Sequence, residues 1–313
     1  MFRQPITQEP RYINRKLGIV RIKWPRDYLT IDQGRLFVRR DYVSIFEQQG
    51  WHTFDDVFED SRFRVVRQVV SGNQDLRDNC SLELPSPDGS GTTHAYFKRH
   101  YSHPPRYRRL LPFTRRPWSA PGLAEAHAVG ACQRAGVRTM NVIAAGQSAA
   151  DHRGVVRSLF MSEEIVGSRQ ADHFWPQTIP PLNGDKLNVE RRRRLLQAMG
   201  QVTRKLHQAG LFHRDLYWCH FFVAEAEVGH FDVWLIDLQR LHRRRGGLRL
   251  YPTYKDLGQF LFSAPPPPKG PTTEERRWWY ACYRGCKRLS NLDHGRFALV
   301  QLRAALYQVK QYF

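Results

Sequence analysis

Cysteine is scarce in this chain: Cys80, Cys132, Cys219, Cys282 and Cys286 form neither an even framework nor a C-x-x-C pair. That excludes a disulfide scaffold and gives no sign of a zinc site. Cys282 and Cys286, four apart in a helical stretch, read as packing or surface thiols. No run approaches the roughly 18 apolar residues of a membrane span, and the opening MFRQPITQEPRYINRKLG lacks the apolar core of a signal peptide. The expectation is a chain that stays in a reducing cytoplasm. Acidic residues are also few, with 29 Asp and Glu against 49 Lys and Arg, and a formal net charge of +20. That surplus points to an anionic partner without choosing among nucleic acid, phospholipid and phosphorylated glycan. An apolar fraction of 41% over 313 residues excludes a disordered chain and suffices for one large domain or two small lobes.

Residues 1–33 form a basic, weakly patterned extension. From Arg35 the apolar residues alternate in short runs, LFV, FRVV and VVSG, and DNCSLELPSPDGSGTTHAYFKRH reads as two strands joined by a Pro/Gly/Ser loop. In SAPGLAEAHAVGACQRAG, Leu123, Ala126, Val129 and Cys132 recur every three residues before Gly136, which predicts one helix. TMNVIAAG and VVRSLFM follow as strands, completing a sheet that carries a single helix. In the second half, NVERRRRLLQAMGQVTRKLHQAG sets Leu195, Met199, Val202, Leu206 and Ala209 at helical spacing, with Gly210 as the stop. FFVA and VWLID are short strands, KDLGQFLFS is a helix, PPPPKGP is a rigid connector, and EERRWWYACYRGCKRLS opens the terminal helices. No internal repeat is present.

Two runs carry chemistry: LFHRDLYWCHFFV and VWLIDLQR, which place Asp215 and Asp237 22 residues apart. A long helix ends, a polar turn follows, a strand pair begins, and a carboxylate closes the second strand. Phosphoryl transfer asks little covalent help of a protein. Its sites consist of a carboxylate that orients the attacking hydroxyl and takes its proton, oxygen or nitrogen ligands for a metal, and a cation on the phosphates. Each part has a candidate here.

H-R-D, a metal ligand five residues after the Asp, and a later Asp opening a loop form the core pattern of the protein-kinase-like fold, which this chain resembles. The resemblance asks for a strand-borne lysine upstream and then a helix bearing a glutamate. Lys98 in HAYFKRH and Glu125 in LAEAHAV meet both demands in order. It implies an α+β, bilobal fold: a small antiparallel-sheet N-lobe with one helix, residues 34–161, and a mainly helical C-lobe, residues 162–313, behind the 1–33 extension. Departures narrow the reading. His220 stands in place of Asn, the loop after Asp237 reads DLQ rather than DFG, Tyr217 occupies the position where serine/threonine kinases carry Lys, and neither a G-x-G-x-x-G loop nor an APE is present. HRDLY-x-x-HF paired with IDLQR is similar to the bacterial lipopolysaccharide kinases of the Kdo/WaaP type, which phosphorylate inner-core sugars. GWHTFDDVF, YFKRH, AEAHAVGACQRAGVRTM and FMSEEI follow that family's order of segments, so the resemblance covers about residues 34–262.

This resemblance implies ATP as the phosphate donor, Lys98 as the cation on its phosphates with Glu125 as partner, and the backbone of Glu163 and Ile165 at adenine. It makes Asp215 the base for a sugar hydroxyl. Asp237 and His220 would hold Mg²⁺, although an imidazole ligand also suits Mn²⁺. A satisfied structural histidine is the plain alternative for His220. With no glycine loop, the turn at Ser71, Gly72 and Asn73 is the candidate for covering the phosphates. His213 and Arg214 read as braces of the loop, and Asp256 in YKDLGQF as its tether from a helix.

The arginines fall into clusters. Arg191 to Arg194 open a helix, where the macrodipole disfavours positive charge, and read as a solvated basic face, with docking on anionic lipid as the alternative. Arg240, Arg243, Arg244, Arg245 and Arg249 directly follow Asp237 and read as acceptor-binding groups, and the stretch from Arg106 to Arg116 could reach over the same acceptor. Guanidinium matches phosphate and carboxylate bidentately, which suits an anionic glycolipid such as lipopolysaccharide core. Interleaved Tyr and Trp would also suit nucleic acid, which the kinase motifs set aside. The expected activity is transfer of the ATP γ-phosphate to a sugar hydroxyl, on heptose or Kdo, by a chain peripheral on the cytoplasmic face of the inner membrane. Against it stand a pseudokinase or basic scaffold that binds membrane or nucleic acid without turnover, and a protein kinase, which the missing APE and Tyr217 disfavour.

Overall fold

Alternating apolar residues build the first half of the chain into a sheet. The structure, a computed structural model, describes residues 27–70, 76–102, 120–179 and 185–311. The turn at Ser71 to Asn73, the stretch from Arg106 to Arg116 and residues 1–26 of the basic extension lie outside the described residues. The chain divides into two compact units, one of residues 1–124 and 143–161, the other of residues 125–142 and 162–313.

In the first unit, strands β1 (Tyr28–Ile31), β2 (Leu36–Arg39), β3 (Arg64–Val70), β4 (Leu76–Pro85), β5 (Thr92–Ser102), β6 (Val142–Ala150) and β7 (Val156–Glu163) form one sheet in the order β1-β2-β6-β7-β5-β4-β3. The β4/β5 hairpin is in antiparallel register from Leu76↔Tyr101 to Pro85↔Thr92. Its loop turns through Gly89, whose φ of +73° suits a residue without a Cβ. Two short helices, α1 (Val43–Gln48) and α2 (Phe54–Phe58), are added to the sheet. Too short to show a period, α2 is set by a capping box between Thr53 and Asp56. Both helices feed the core, where Trp51 packs on Phe46 at 5.0 Å and on Phe63 at 5.6 Å between ring centroids. Helix α3 (Pro121–Arg134) begins hard against β7. A Cβ on Gly122 would lie 2.4 Å from the Leu159 carbonyl oxygen, so only glycine permits this approach.

The second unit is mainly helical: α4 (Ala171–Thr178), α5 (Lys186–Gln208), α6 (Leu250–Ser263), α7 (Thr273–Arg284) and α8 (Asn291–Gln311). Its small sheets are β11-β10-β8, from β8 (Arg169–Gln170), β10 (Phe221–Glu227) and β11 (His230–Leu235), and β12-β9, from β9 (Leu211–Phe212) and β12 (His242–Arg243). Helix α5 buries Leu195, Met199 and Leu206 as its period demands, with Thr203 rather than Val202 completing the face. It packs on α7, where a Cβ on Gly200 would lie 3.0 Å from the Trp279 carbonyl oxygen. Trp279 stacks on Phe260 at 4.0 Å, and Phe260 lies 5.4 Å from Trp218, so one aromatic column joins α7, α6 and the segment before β10.

The solvated basic face expected at Arg191 to Arg194 forms only at Arg193 and Arg194, which are exposed, while Arg192 is buried and Arg191 half-buried. Helix α5 starts at Lys186, with Asp185 capping the Leu187 N–H, so these arginines lie beyond the first turn. Arg192 is 1% exposed, donates to both Glu275 oxygens at 2.6 and 2.9 Å and to the Gly270 carbonyl at 3.1 Å, and sits 4.6 Å over the Trp175 ring. Arg191 pairs with Glu225, and Arg194 with Glu190. Buried charge of this kind persists only when its donors and acceptors are all engaged. The PPPPKGP connector is part of the same assembly, because Lys269 and Gly270 supply carbonyls to Trp175 and Arg192.

Burial alone would raise the Glu275 carboxyl, but hydrogen bonds from Arg192 and Thr272 outweigh it and hold the group below its ordinary value. A depressed carboxylate contributes stability that is complete above the unfolded pKa and is lost as pH falls through the folded one. We therefore expect Arg192→Ala to lower unfolding stability by about 3–5 kcal/mol at neutral pH. The wild type should lose stability below pH 4.5 more steeply than the double variant Arg192→Met/Glu275→Leu. Urea unfolding across pH checks both, and a loss of under about 1 kcal/mol for Arg192→Ala would remove this pair from the account.

Candidate active site

The segment from His213 to His220 has almost no regular structure, so its shape comes from what holds it. Helix α6 does most of this. Asp256, fully buried, accepts the His213 N–H at 2.7 Å and the Arg214 N–H at 2.8 Å, one on each carboxylate oxygen. Gln259 accepts the Leu216 N–H at 3.2 Å and donates to the Tyr217 hydroxyl at 3.0 Å, and Ser263 accepts the Trp218 N–H at 2.9 Å. Asp256, Gln259 and Ser263 are spaced three and four apart, on one face of the helix. Arg214 is thereby held at φ +73°, a left-handed conformation uncommon for a non-glycine residue. Its guanidinium donates to His242 Nε2 at 2.8 Å, on the β12 strand that pairs with β9.

His213 closes the loop from inside. Its Nδ1 accepts the Asp215 N–H at 3.3 Å, which places the ring proton on Nε2, where it is donated to the Ile236 carbonyl at 2.9 Å. Burial, and then the neighbouring His220, push the His213 imidazole below its ordinary value, so the ring is held neutral.

Strand pairing brings the other half of the site alongside. The β10/β11 register matches Phe221 with Leu235, and the Ile236 N–H donates to the His220 carbonyl at 2.9 Å, so Asp237 emerges beside His220. Asp237 itself is left-handed, at φ +55° and ψ +56°. Two such residues in one short site, each costing on the order of 1–3 kcal/mol, are the kind of strain that persists when surrounding contacts fix it. His220 Nδ1 donates to the Asp215 carbonyl at 2.6 Å, which leaves the Nε2 lone pair on the side of Asp237 Oδ2, 3.6 Å away. That separation is too long for a hydrogen bond. An imidazole oriented through its other nitrogen, next to a carboxylate, is a suitable donor pair for a divalent cation. Among the described residues no group of three or more His, Cys, Asp or Glu is placed to bind a metal, so this pair would supply only part of a coordination shell.

The Asp215 carboxylate faces two cations. Arg240, in the turn after Asp237, places Nη1 2.9 Å from Oδ2 and 3.0 Å from Oδ1. Lys255, the residue before Asp256, puts Nζ 3.9 Å from Oδ1 and donates to the Arg214 carbonyl. Their burial differs: the Arg240 side chain is 52% exposed and that of Lys255 15%. Burial lowers the Lys255 ammonium from its ordinary value, with Asp215 opposing that shift. Lys255 was not visible in the motif reading. The signal was its place next to the tether residue in YKDLGQF, on the helix whose Asp256, Gln259 and Ser263 all turn to the one loop.

The other arginines behind Asp237 divide. Arg249 donates to the His207 carbonyl at the end of α5 and lies 6.0 Å over the Phe212 ring, a structural post rather than an acceptor group. Arg243 and Arg245 are exposed and Arg244 half-buried, and none of the three guanidinium groups has an ion pair among the described residues. Upstream, Lys98 is half-buried on β5, opposite Asn79 and 5.8 Å from the Phe160 ring centroid. Glu125 is wholly buried on α3, in the part of that helix that groups with the second unit. At the end of β7, the Glu163 N–H donates to the Asn141 carbonyl at 2.9 Å, and its carboxylate accepts from the Asn141 side chain at 2.8 Å. The Ile165 carbonyl is engaged by Ser168, through both its N–H at 3.2 Å and its hydroxyl at 2.5 Å.

Residues 91–280, more than half of the 313, match the model of the lipopolysaccharide kinase (Kdo/WaaP) family. The chain belongs to the lipopolysaccharide kinase (Kdo/WaaP) family. Within this Kdo/WaaP family, it is 29% identical over 146 residues to the lipopolysaccharide core heptose(I) kinase WaaP of Pseudomonas aeruginosa, covering 45% of this chain and 51% of that protein. It is 28% identical over 136 residues to the protein of the same name from Escherichia coli, covering 42% and 48%. The chain thus spans about half the length of the curated relatives it matches. A solved structure of WaaP in complex with acyl carrier protein superposes with a TM-score of 0.60 at 22% identity, over 87% of this chain and 98% of that one. The shared fold is kinase-like, with an antiparallel sheet in the N-terminal region and helices in the C-terminal part.

Asp256 generates a direct prediction. Hydrogen bonds to a charged group contribute about 1.5–3 kcal/mol each, so Asp256→Ala should cost about 3 kcal/mol or more in urea unfolding. It should also speed amide hydrogen exchange at His213 and Arg214 while exchange in α5 and α7 changes little. Unaltered protection at those two amides would contradict the tether.

Proposed function

We propose that this chain transfers the γ-phosphate of ATP to a sugar hydroxyl of lipopolysaccharide core, heptose or Kdo, or of a similar anionic glycan. The observation that carries the reading is the Asp215 carboxylate, fixed between two cations on a pinned loop whose Asp215 carbonyl orients the His220 ring beside Asp237. Its setting in a Kdo/WaaP-family chain supports this acceptor class, since the curated relatives are named lipopolysaccharide core heptose(I) kinases.

In this reading Asp215 orients the acceptor hydroxyl and takes its proton at a carboxylate oxygen. Arg240 covers that oxygen when no acceptor is bound. Exposed and attached to a short turn, its guanidinium can transfer from Asp215 to an anionic group of the arriving glycan, with Arg243 and Arg245 close by in the chain. Lys255 stays in place. It approaches Asp215 from α6 and supplies a fixed positive charge near the base, in a site where Tyr217 offers none. Asp237 and His220 would hold Mg²⁺ or Mn²⁺, which when bound neutralises charge on the nucleotide phosphates. Lys98, with Glu125 as the partner the resemblance implies, would serve as the protein cation on those phosphates. The Ile165 carbonyl being engaged, adenine would meet the Ile165 N–H and, with the Glu163 N–H also engaged, the Glu163 carbonyl. Among the described residues no helix is long and apolar enough to cross a membrane, and the +20 charge favours an anionic lipid face. We place the chain on the cytoplasmic face of the inner membrane.

ATP turnover with a divalent metal and a lipopolysaccharide-core acceptor tests the reading. Asp215→Asn should reduce turnover by about 10²- to 10⁴-fold with nucleotide binding retained, and a rate within a few-fold of wild type would exclude it as the base. Asp237→Asn should abolish metal-dependent nucleotide binding; binding at wild-type strength would overturn that assignment. Lys255→Met should lower kcat by about 10²-fold with little change in KM for ATP, and Lys255→Arg should restore part of it. Equal rates for Met and Arg at this position would reduce Lys255 to a packing role.

A further inference from the structure

Helix α8 has two apolar faces, and the protein uses one. Phe297, 2% exposed, and Val300, 0% exposed, turn inward, and the helix lies so close to α6 that a Cβ on Gly258 would come within 2.7 Å of the Arg303 side chain. On the outer side Leu292, Leu299, Leu302, Leu306 and Val309 are 64%, 52%, 59%, 47% and 52% exposed. At 3.6 residues per turn these five side chains fall within an arc of about 100°, a continuous stripe rather than scattered surface leucines. A stripe of that width on a folded helix is the pattern of a surface that meets something apolar.

Charge identifies what it meets. Between residues 284 and 311 the chain carries Arg284, Lys287, Arg288, Arg296, Arg303 and Lys310 against Asp293 alone. Asp293 is engaged by Ser290 at 2.8 Å and Arg284 at 2.9 Å. Arg296 and Arg303 run along one margin of the stripe. Arg303 is fixed there between the Tyr251 and Tyr307 rings, at 5.5 and 5.1 Å, and donates to the Tyr251 hydroxyl at 3.3 Å. Tyr251 itself is 67% exposed, so an aromatic ring and guanidinium groups flank a row of aliphatic side chains. We propose that the outer face of α8 is a docking surface for an anionic lipid bilayer, with the five aliphatic side chains entering the acyl boundary and Arg296, Arg303 and Tyr251 at headgroup level. A second copy of the chain fits less well, because pairing two such faces sets basic margins together without an acidic counterpart, whereas anionic headgroups neutralise them.

The proposal stands on this surface alone, and vesicle binding, which needs no phosphate acceptor, decides it. Full-length protein is sedimented with vesicles of phosphatidylcholine containing phosphatidylglycerol, and with phosphatidylcholine alone. The wild type should bind the first and not the second, and binding should weaken as salt rises. Leu302→Glu/Leu306→Glu should reduce partitioning by about ten-fold or more, and Leu302→Ala/Leu306→Ala by several-fold, with helix content and the urea unfolding midpoint unchanged. The alanine pair keeps the test valid if the glutamate pair misfolds. Equal binding by wild type and both variants, equal binding to the two lipid mixtures, or no vesicle binding at all would overturn the proposal. So would a dimer that the glutamate pair converts to monomer without any effect on vesicle binding.

Discussion

One buried carboxylate organises this molecule. Asp256 has no access to solvent and accepts two consecutive backbone N–H groups, from His213 and Arg214, so the chain must leave β9 in a fixed direction with Arg214 in a left-handed conformation. Everything chemical follows from that exit. The His213 ring is brought under the Asp215 N–H and the Ile236 carbonyl, the Asp215 carbonyl meets His220, and His220 meets Asp237. The same helix delivers Lys255 to Asp215, because the residue next to the tether is carried with it. A loop with little regular structure thus acquires helix-like rigidity by borrowing hydrogen-bond partners from one face of α6.

The positive charge of the chain is not one surface property. Arg192 is built into the interior of the second unit, half-buried Arg249 is bonded to the end of α5, and Arg157 joins Asp55 to Glu59 in the first unit. Arg240 sits on the proposed base, Arg243 and Arg245 are exposed behind the proposed metal ligand, and Arg296 and Arg303 border an apolar helix face. Each ion pair removes one charge of either sign, so the net +20 survives this pairing and resides in the remaining cations, whose clusters are the ones with functional meaning.

The sequence revealed most where chemistry is local. Asp215, His220 and Asp237 could be singled out because the runs HRDLYWCH and LIDLQR are each contiguous, and the structure sets the His220 ring between the Asp215 backbone carbonyl and the Asp237 carboxylate. Asp256 was legible as a tether because the only carboxylate of the helix LYPTYKDLGQFLFS follows the two runs in a kinase-like order. The rest depends on partners distant in the chain. Arg192 could not be read as buried, since Glu275 lies 83 positions away and the true start of α5 is set by Asp185. Arg249 was grouped with its neighbours although its partner is the end of a helix already past. Helices α1 and α2 and the two-residue strands β9 and β12 are too short for any period to show, and the outer stripe of α8 becomes visible only once the inner face is known to be filled.

The most direct measurement is the mass of lipopolysaccharide core after incubation with the protein, ATP and a divalent metal. The account predicts a gain of one phosphate on a core sugar, carried from the γ position of isotopically labelled ATP and absent when Asp215 is Asn. Core of unchanged mass from a folded protein that binds ATP and metal would contradict it, and would make the chain a binding scaffold.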